Sequence, residues 1–191
     1  MFNCMKKVFL ILLVFFVFVS CKKFVVATVE ITEKSTRTTR TADQIRTDYN
    51  LEKRLKNIVR DEFVGEIEYC GFNVIGNYVL SACIIKNQSA KMRLLSKINS
   101  IKEIVKIYDE IQVNPLLKKH SIRDYLIRKL IDMKFLFKGS IRSLNYEFAV
   151  INGIVYVIGI SSYKGEIENV AKSIATIRGV KGVVNYTVND Y

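Results

Sequence analysis

The sequence predicts an α+β protein in which two tandem copies of a small αββαβ domain follow an apolar amino-terminal segment. One order of elements (helix, hairpin, helix, strand) occurs twice, first over residues 48–113 and again over residues 118–190. The length agrees with this, because 191 residues, half of them apolar, suffice for two small cores but not for a large multidomain enzyme. We expect each copy to form a three-stranded mixed sheet with two helices on one face.

The first twenty residues are typical of a signal peptide. Lys6 and Lys7 precede an unbroken apolar run of 12 residues, Val8 to Val19, which Ser20 and Cys21 terminate. A helix that crosses the hydrocarbon needs about 20 apolar residues, whereas the apolar region of a secretory signal needs about 7 to 15. The length therefore favours a signal peptide over residues 1–20, and an uncleaved anchor is the alternative.

Phe18-Val19-Ser20-Cys21 resembles the lipobox of bacterial lipoproteins, in which a small residue precedes the cysteine that receives diacylglycerol. The family usually has Leu at the position of Phe18. The resemblance implies a covalent diacylglycerol and an N-acyl lipid on Cys21, with no other cofactor. Because Lys22 rather than Asp follows that cysteine, it also implies the outer membrane, on the side that faces the periplasm.

Two cysteines, Cys70 and Cys83, lie outside the signal segment and the lipobox. They flank a hairpin near Gly76-Asn77, and a two-residue turn there would place them directly opposite each other. A turn at Ile75-Gly76 would instead make them diagonal neighbours. Opposed strand residues have Cα separations of about 4.5 to 5.5 Å, which a disulfide can span in an oxidising compartment. Two small buried thiols are the alternative.

Between Cys21 and residue 47 the chain is rich in Thr, Ser, Arg and Glu and has no amphipathic periodicity. This composition predicts a flexible tether. Its basic residues could lie along an anionic leaflet, but the composition favours a solvated linker.

Two hairpins are the clearest part of the repeat. Apolar residues of the second copy alternate up to an Asn152-Gly153 turn and away from it again. They are Tyr146, Phe148, Val150, Val155, Val157 and Gly159. The first copy has Tyr69, Gly71 and Asn73 before Gly76, and Tyr78, Leu80 and Ala82 after it. We expect the two hairpins to match with a register of 77 residues.

After a one-residue difference in loop length, the second helix and the last strand match with a register of 76. The first copy contributes Leu94, Leu95, Ile98, Ile101, Ile104 and Ile107, which match Val170, Ala171, Ile174, Ile177, Val180 and Val183. The last strands are expected at Val105–Ile111 and Val183–Val188.

In the opening helices, we expect Leu51, Leu55 and Val59 of the first copy to be equivalent to Ile122, Leu126 and Leu130 of the second. A short linker near Asn114-Pro115 joins the copies. Because two helices cannot cover both faces of a three-stranded sheet, the free face should pack against the other copy or a partner.

These residues resemble the BON domain, named for bacterial OsmY and nodulation proteins. The second copy has Gly153-x-Val155-x-Val157-x-Gly159 and, after a helix, Gly179-Val180-Lys181-x-Val183-x-Asn185. The first copy has Ala82 at the position of Gly159 and Glu103-Ile104 at that of Gly179-Val180, and it ends in Lys106-Ile107-Tyr108-Asp109-Glu110-Ile111. With the lipobox, the chain is similar to dual BON-domain outer-membrane lipoproteins.

That resemblance implies a lipid-anchored envelope protein that binds anionic phospholipid and supports outer-membrane integrity near the outer-membrane protein assembly machinery. It also implies that the first helix of the second domain, here about Ser121 to Met133, contacts lipid. The family has a Trp where this chain has Ser121. The alternative is a periplasmic adaptor that binds an assembly factor or another envelope protein without recognising lipid.

The charge of the chain agrees with an anionic partner. The formal net charge is +12, and +10 remains once Lys6 and Lys7 are removed. Each basic residue near an anionic leaflet contributes about 1 kcal/mol, and aromatic rings favour headgroup depth. The expected phospholipid-binding residues are Lys118, Lys119, Arg123, Tyr125, Arg128 and Lys129, with Lys134, Lys138, Phe135 and Phe137 nearby. An ordinary core helix with a solvated basic face is the alternative.

Nothing in the sequence indicates catalysis. His120 is the sole histidine, which excludes a multi-histidine metal site, and the chain has no G-x-S-x-G motif, P-loop or C-x-x-C pair. The acidic residues Asp61, Glu62, Glu66 and Glu68 are typical of a solvated edge. Export would also separate the chain from nucleic acid. We therefore expect a binding protein that is not an enzyme and holds no metal.

Overall fold

The computed structural model describes residues 38–116, 122–138 and 141–189. The predicted signal peptide, the lipobox with Cys21 and the tether up to residue 37 lie outside the described residues. Both copies belong to one compact unit, which spans Thr36–Tyr191.

The first half of this unit contains two helices and three strands. They are α1 (Ala42–Glu62), β1 (Ile67–Ile75), β2 (Tyr78–Ile85), α2 (Gln88–Asn99) and β3 (Lys106–Val113). Strand β2 is central, antiparallel to β1 and parallel to β3, so the sheet is mixed as expected.

The second half repeats this arrangement. Its elements are α3 (Ile122–Phe137), a short 3₁₀ helix (Ser143–Asn145), β4 (Tyr146–Ile151), β5 (Ile154–Ser161), α4 (Lys164–Ala175) and β6 (Gly182–Asn189). The strand order is β4-β5-β6, with an antiparallel and a parallel pairing. The α+β class and the two three-stranded mixed sheets are thus confirmed.

Helix α1 begins earlier than expected. Thr41 caps it by accepting a hydrogen bond from the backbone of Gln44, whose side chain accepts one from Thr41 in return. Just before the cap, Thr39 N donates to Asn145 Oδ1 at 3.0 Å, which fixes this segment against the second half. The prediction of a flexible tether was therefore wrong for residues 38–47.

The two halves match with a constant register of 76 residues. The turns Gly76-Asn77 and Asn152-Gly153 are equivalent, and all four residues have positive φ, as two-residue type I′ turns require. Strand β2, helix α2 and strand β3 have the same lengths and spacings as β5, α4 and β6. The expected register of 77 for the hairpins was wrong, because the halves have no difference in loop length after their opening helices.

Both faces of each sheet are buried. The outer faces are covered by helices, α1 and α2 in the first half and α3 and α4 in the second. The inner faces pack against each other and form a third core. It contains Ile75, Leu80, Ala82 and Ile84 from the first half and Ala149, Ile151, Tyr156 and Ile158 from the second. The free face of each sheet is therefore covered by the other half.

This double burial explains the error in register. Tyr146 and Phe148 face the helices, whereas Tyr69, which we had matched to Tyr146, faces the other sheet. A shift of one residue moves every side chain of a strand to the opposite face. Since both faces are apolar here, the alternation of apolar residues did not reveal the shift.

The opening helices were also matched incorrectly. Leu51 and Leu55 correspond to Ile127 and Ile131, and all four side chains are buried against the sheets. Ile122, Leu126 and Leu130, which we had matched with Leu51, Leu55 and Val59, are exposed.

An aspartate on the opening helix of each half holds the hairpin turn. Asp48 accepts hydrogen bonds from Gly76 N at 2.9 Å and Asn77 N at 3.2 Å. Asp124 accepts equivalent bonds from Asn152 N and Gly153 N, both at 2.8 Å. Because each carboxylate satisfies two amide donors of a tight turn, it fixes the helix relative to the hairpin.

The halves differ at one pair of opposed strand residues. Cys70 and Cys83 are directly opposite, with Cα atoms 4.0 Å apart, and form a disulfide. Their equivalents are Tyr146 and Gly159, which are also directly opposite. A Cβ atom on Gly159 would lie within 2.9 Å of Asn145 O and closer still to the ring of Tyr146. In the second half an aromatic ring therefore fills the space next to a glycine.

Asp124→Ala should lower the free energy of unfolding by about 2 to 4 kcal/mol, because two amide donors of the turn lose a charged acceptor. The measurement is urea unfolding followed by circular dichroism. Glu168→Ala is the control, since its i,i+4 pair with Lys172 is exposed and should contribute almost nothing. Equal effects of the two variants would show that the turn does not depend on Asp124.

Gly159→Ala should lower the free energy of unfolding by about 1 to 3 kcal/mol, because the new methyl group overpacks the site of Tyr146. Gly165→Ala is the matched control. The atoms nearest to its Cβ would belong to the side chain of Tyr163, which is 66% exposed and can move. Since alanine favours the helix, stability should then be equal or slightly higher. A neutral Gly159→Ala variant would contradict this account of the pair.

Candidate functional site

Helix α3 lies against the second sheet through one row of side chains. Ile127, Ile131 and Phe135 are buried there, and the Phe135 ring lies 5.2 Å from that of Phe148. Asp124, which holds the turn, belongs to the same buried side. Ordinary packing of an amphipathic helix would place polar residues on the opposite side.

The opposite side of α3 is apolar instead. We call it the outer face of α3, and it consists of Ile122, Leu126, Leu130, Met133, Leu136 and Phe137, which are 39% to 84% exposed. Their spacing of three and four residues places them along one side of the helix. A row of exposed large apolar side chains marks an interaction surface, whereas single ones do not.

The first half provides an internal comparison. The equivalent positions on α1 carry Arg46, Asn50, Arg54, Asn57, Arg60 and Asp61. All six are polar or charged, although the buried positions of both helices, apart from the turn-binding Asp48 and Asp124, are apolar. The fold itself therefore does not require an apolar outer face at this position.

Basic side chains border the outer face of α3. Arg123 is exposed at its start. Lys134 and Lys138 lie along one side, where Lys134 donates a hydrogen bond to Thr176, just after α4, and Lys138 donates one to Ser173 of α4. The described residues of the second half include ten basic and five acidic side chains, against twelve and ten in the first half. Among the described residues, the excess of positive charge is thus larger on the half that carries the outer face.

The structure separates the predicted phospholipid-binding residues. Tyr125 is 57% exposed beside the outer face, with the Lys129 ammonium 5.5 Å from its ring centroid. The Arg128 side chain contacts Glu147 and the ring of Phe148, both on strand β4 of the second sheet. Lys118 and Lys119, like His120 and Ser121, lie outside the described residues.

Two aromatic residues that we had placed together are separated. Phe137 is exposed, whereas Phe135 is buried in the core and cannot join a surface cluster. Sequence reasoning also missed Met133 and Leu136 as surface residues. The sequence did contain a signal for this surface, because the apolar residues of α3 are too widely distributed around the helix to be buried together on one side.

A cleft of about 340 Å³ lies where the two halves meet at strands β1 and β4. Helix α1 lines it with Glu52 and Lys56, which form an ion pair. From the second half come Arg128 and Glu147, joined by a contact of 3.3 Å between Arg128 Nη2 and Glu147 Oε2. Asn73 Nδ2 donates to the same oxygen at 3.4 Å.

Burial between the halves raises the pKa of Glu147 above its ordinary range. The nearby Arg128 counteracts this shift, and Glu52 adds to it. The side chain is nonetheless 37% exposed, because the cleft admits water to a carboxylate that is otherwise surrounded by protein. Glu147 is therefore a partly desolvated carboxylate that a ligand can reach.

Cys70 also lines this cleft through its place on β1. The disulfide to the fully buried Cys83 fixes the strand that forms one wall. Within the described ranges, no group of three or more His, Cys, Asp or Glu side chains could hold a metal ion. Among the helices in those ranges, none has the length and apolar character needed to cross a membrane.

The chain is similar to known proteins only in part or weakly. No family profile matches the chain. The "Uncharacterized protein in gshII 5'region" of Anaplasma centrale is 30% identical over 87 residues, which make up 44% of this chain. The chain spans 57% of the length of that curated relative.

Two solved structures of CdsD, a structural protein of the Type III secretion system of Chlamydia trachomatis, show a weak likeness. One is its C-terminal domain, which has a TM-score of 0.33 and 12% identity over 74% of this chain and 98% of that one. The other has a TM-score of 0.31 and 14% identity over 74% of this chain and 92% of that one. These scores are too low to infer a shared fold.

Glu147→Gln should become more stable relative to the wild type as the pH rises from about 4 to about 7. A carboxyl with a raised pKa in the folded state binds its proton more tightly than in the unfolded chain. The wild type therefore loses stability as the pH rises through that folded pKa, whereas the neutral amide does not titrate.

Urea unfolding of both proteins across this pH range measures the difference. Asn169→Gln, an exposed substitution on α4 that changes no titratable group, serves as the control and should show no such slope. A flat or reversed difference for Glu147→Gln would contradict a raised pKa.

Proposed function

We propose that this protein is a lipid-anchored envelope protein whose second half contacts anionic phospholipid through the outer face of α3. One observation carries the proposal: six exposed positions are apolar on α3 and polar on the equivalent helix α1. The first half thus keeps the fold without this surface, and the second half has a row of apolar side chains that no described element covers.

The chemistry of this surface fits a membrane interface. An amphipathic helix that lies in the headgroup region buries its apolar side and keeps basic residues at the rim. Tyr125 and Lys129 have the combination of ring and ammonium that favours this depth. Burial of apolar area contributes about 25 cal/mol per Å², and each basic residue near an anionic leaflet about 1 kcal/mol.

With the proposed lipid anchor, a weak contact between α3 and the bilayer is sufficient to keep α3 at the membrane. If Cys21 is acylated after removal of residues 1–20, the lipid holds the compact unit near the membrane, in the outer membrane and facing the periplasm. Contact of α3 with the bilayer is then intramolecular in effect, so that modest affinity gives high occupancy.

We also propose that the two halves are BON-type domains that support outer-membrane integrity. The order of helix, hairpin, helix and strand in each half supports this. The outer-membrane protein assembly machinery is the proposed protein partner. A periplasmic adaptor remains the second candidate, because an exposed apolar helix face also fits a groove on another protein.

The test is binding to anionic vesicles by the double variant Leu126→Asn/Met133→Asn. It places on α3 the residues that α1 has at these positions, Asn50 and Asn57. Binding should weaken by about tenfold or more, because two large side chains no longer enter the interface. Stability should change little, since both side chains are more than half exposed.

The matched control is Met92→Asn/Val64→Asn, which removes two exposed apolar side chains from the first half. It should bind vesicles like the wild type. Wild-type binding should also weaken with salt and be absent for neutral vesicles. Equal vesicle binding by both double variants would overturn the proposal, and indifference of the wild type to vesicles would favour the adaptor.

A further inference from the structure

The cleft between the halves is a second candidate site, separate from the outer face of α3. Strands β1 and β4 each pair with one described neighbour, β2 or β5, so their other edges are open. The cleft lies at these two edges and is lined by residues of both halves. A volume of about 340 Å³ is at the lower end of the range of small-molecule sites.

The charges at this cleft are arranged in opposite order on the two helices. The acidic Glu52 of α1 is equivalent in register to the basic Arg128 of α3. The basic Lys56 of α1 is likewise equivalent to the acidic Asp132 of α3. Glu147 adds a carboxylate where the first half has a glycine. The four charged residues that line the cleft are Glu52, Lys56, Arg128 and Glu147.

The charges of these four lining residues sum to zero. Lys56 pairs with Glu52, and Arg128 pairs with Glu147 and also with Asp132, which lies outside the lining. An ion of a single sign would leave one charge without compensation in a partly desolvated site, which is costly. A neutral ligand with both a positive and a negative group would keep the balance and pair with both kinds of side chain. The cleft thus differs from the surroundings of the outer face, where positive charge is in excess.

The carboxylate of Glu147 has capacity for such a ligand. Its hydrogen bonds with Arg128 and Asn73 are 3.3 and 3.4 Å long, which is long for such bonds. A primary ammonium offers three donors to a carboxylate, and a guanidinium presents several N–H groups to phosphate oxygens. The opposite charges around Glu147 and Arg128 therefore match an ammonium and a phosphate in one molecule.

We infer that the cleft binds a zwitterion that joins a phosphate to a primary ammonium, the chemistry of a phosphoethanolamine headgroup. Glu147 and Glu52 receive the ammonium, and Arg128 and Lys56 receive the phosphate. By helical periodicity, Arg128 lies between the buried side of α3 and Tyr125 beside the outer face. The membrane as the source of this ligand rests on the proposed function.

The test uses nuclear magnetic resonance of the isotope-labelled full chain with Cys21→Ser, which prevents acylation. The probe is glycerophosphoethanolamine, which has the headgroup but no acyl chains. It should shift amide signals of β1 and β4, and Glu147→Gln should weaken its binding by about tenfold or more. Glu168→Gln, at an exposed position of α4, should bind like the wild type.

Two related probes test the chemistry of the ligand. Glycerophosphocholine has the same phosphate but a quaternary ammonium without N–H donors, and inorganic phosphate has no cation. Both should bind at least several-fold more weakly. Equal binding of either probe, absence of shifts at β1 and β4, or an unaffected Glu147→Gln variant would overturn the inference.

Vesicles identify the source of the ligand. At a fixed fraction of phosphatidylglycerol, wild type should prefer phosphatidylethanolamine to phosphatidylcholine, and Glu147→Gln should lose this preference. If the soluble probe binds without such a preference, the membrane source is overturned and a free zwitterion remains. Vesicle binding that depends on Leu126 and Met133 while the probe gives no shifts would overturn the cleft site and leave the proposed function intact.

Discussion

The structure depends on one constraint: a three-stranded sheet with two helices has one face that remains apolar and uncovered. In this chain the inner face of each sheet is buried by the other, through Leu80 and Ile84 on one side and Ile151 and Ile158 on the other. Two small layers thus become a four-layer unit of helices, sheet, sheet and helices. The surfaces that remain available for binding are the outer sides of the helices and the edges where the sheets meet.

The sequence predicted the element order and both turns because these depend on local signals. Asn152-Gly153 requires positive φ at two successive residues, which few other residue pairs accept. Local signals could not show which side chains of each strand lie on the helix-covered face of the sheet and which lie on the inner face. Because both faces are buried, apolar side chains occupy odd and even positions of a strand alike. A one-residue error, such as matching Tyr69 with Tyr146, therefore leaves the pattern of apolar residues equally plausible.

The candidate site was only partly predictable for a related reason. Helix α3 has apolar residues on two sides, and periodicity alone does not decide whether Ile127 or Leu126 faces the sheet. Tertiary structure decides it, since Asp124 must reach the Asn152-Gly153 turn and thereby sets the rotation of the helix. The cleft was not predicted at all, because Glu52 and Glu147 are distant in sequence and meet only when the halves pack.

The contact between the inner faces has a further consequence for assembly. Each half presents a surface that fits a near copy of itself, which is the condition for a symmetric pair of identical subunits. Joining the two in one chain makes their association independent of protein concentration. It also removes the need for the copies to stay identical, so that one partner is free to acquire a new surface while the other maintains the pairing.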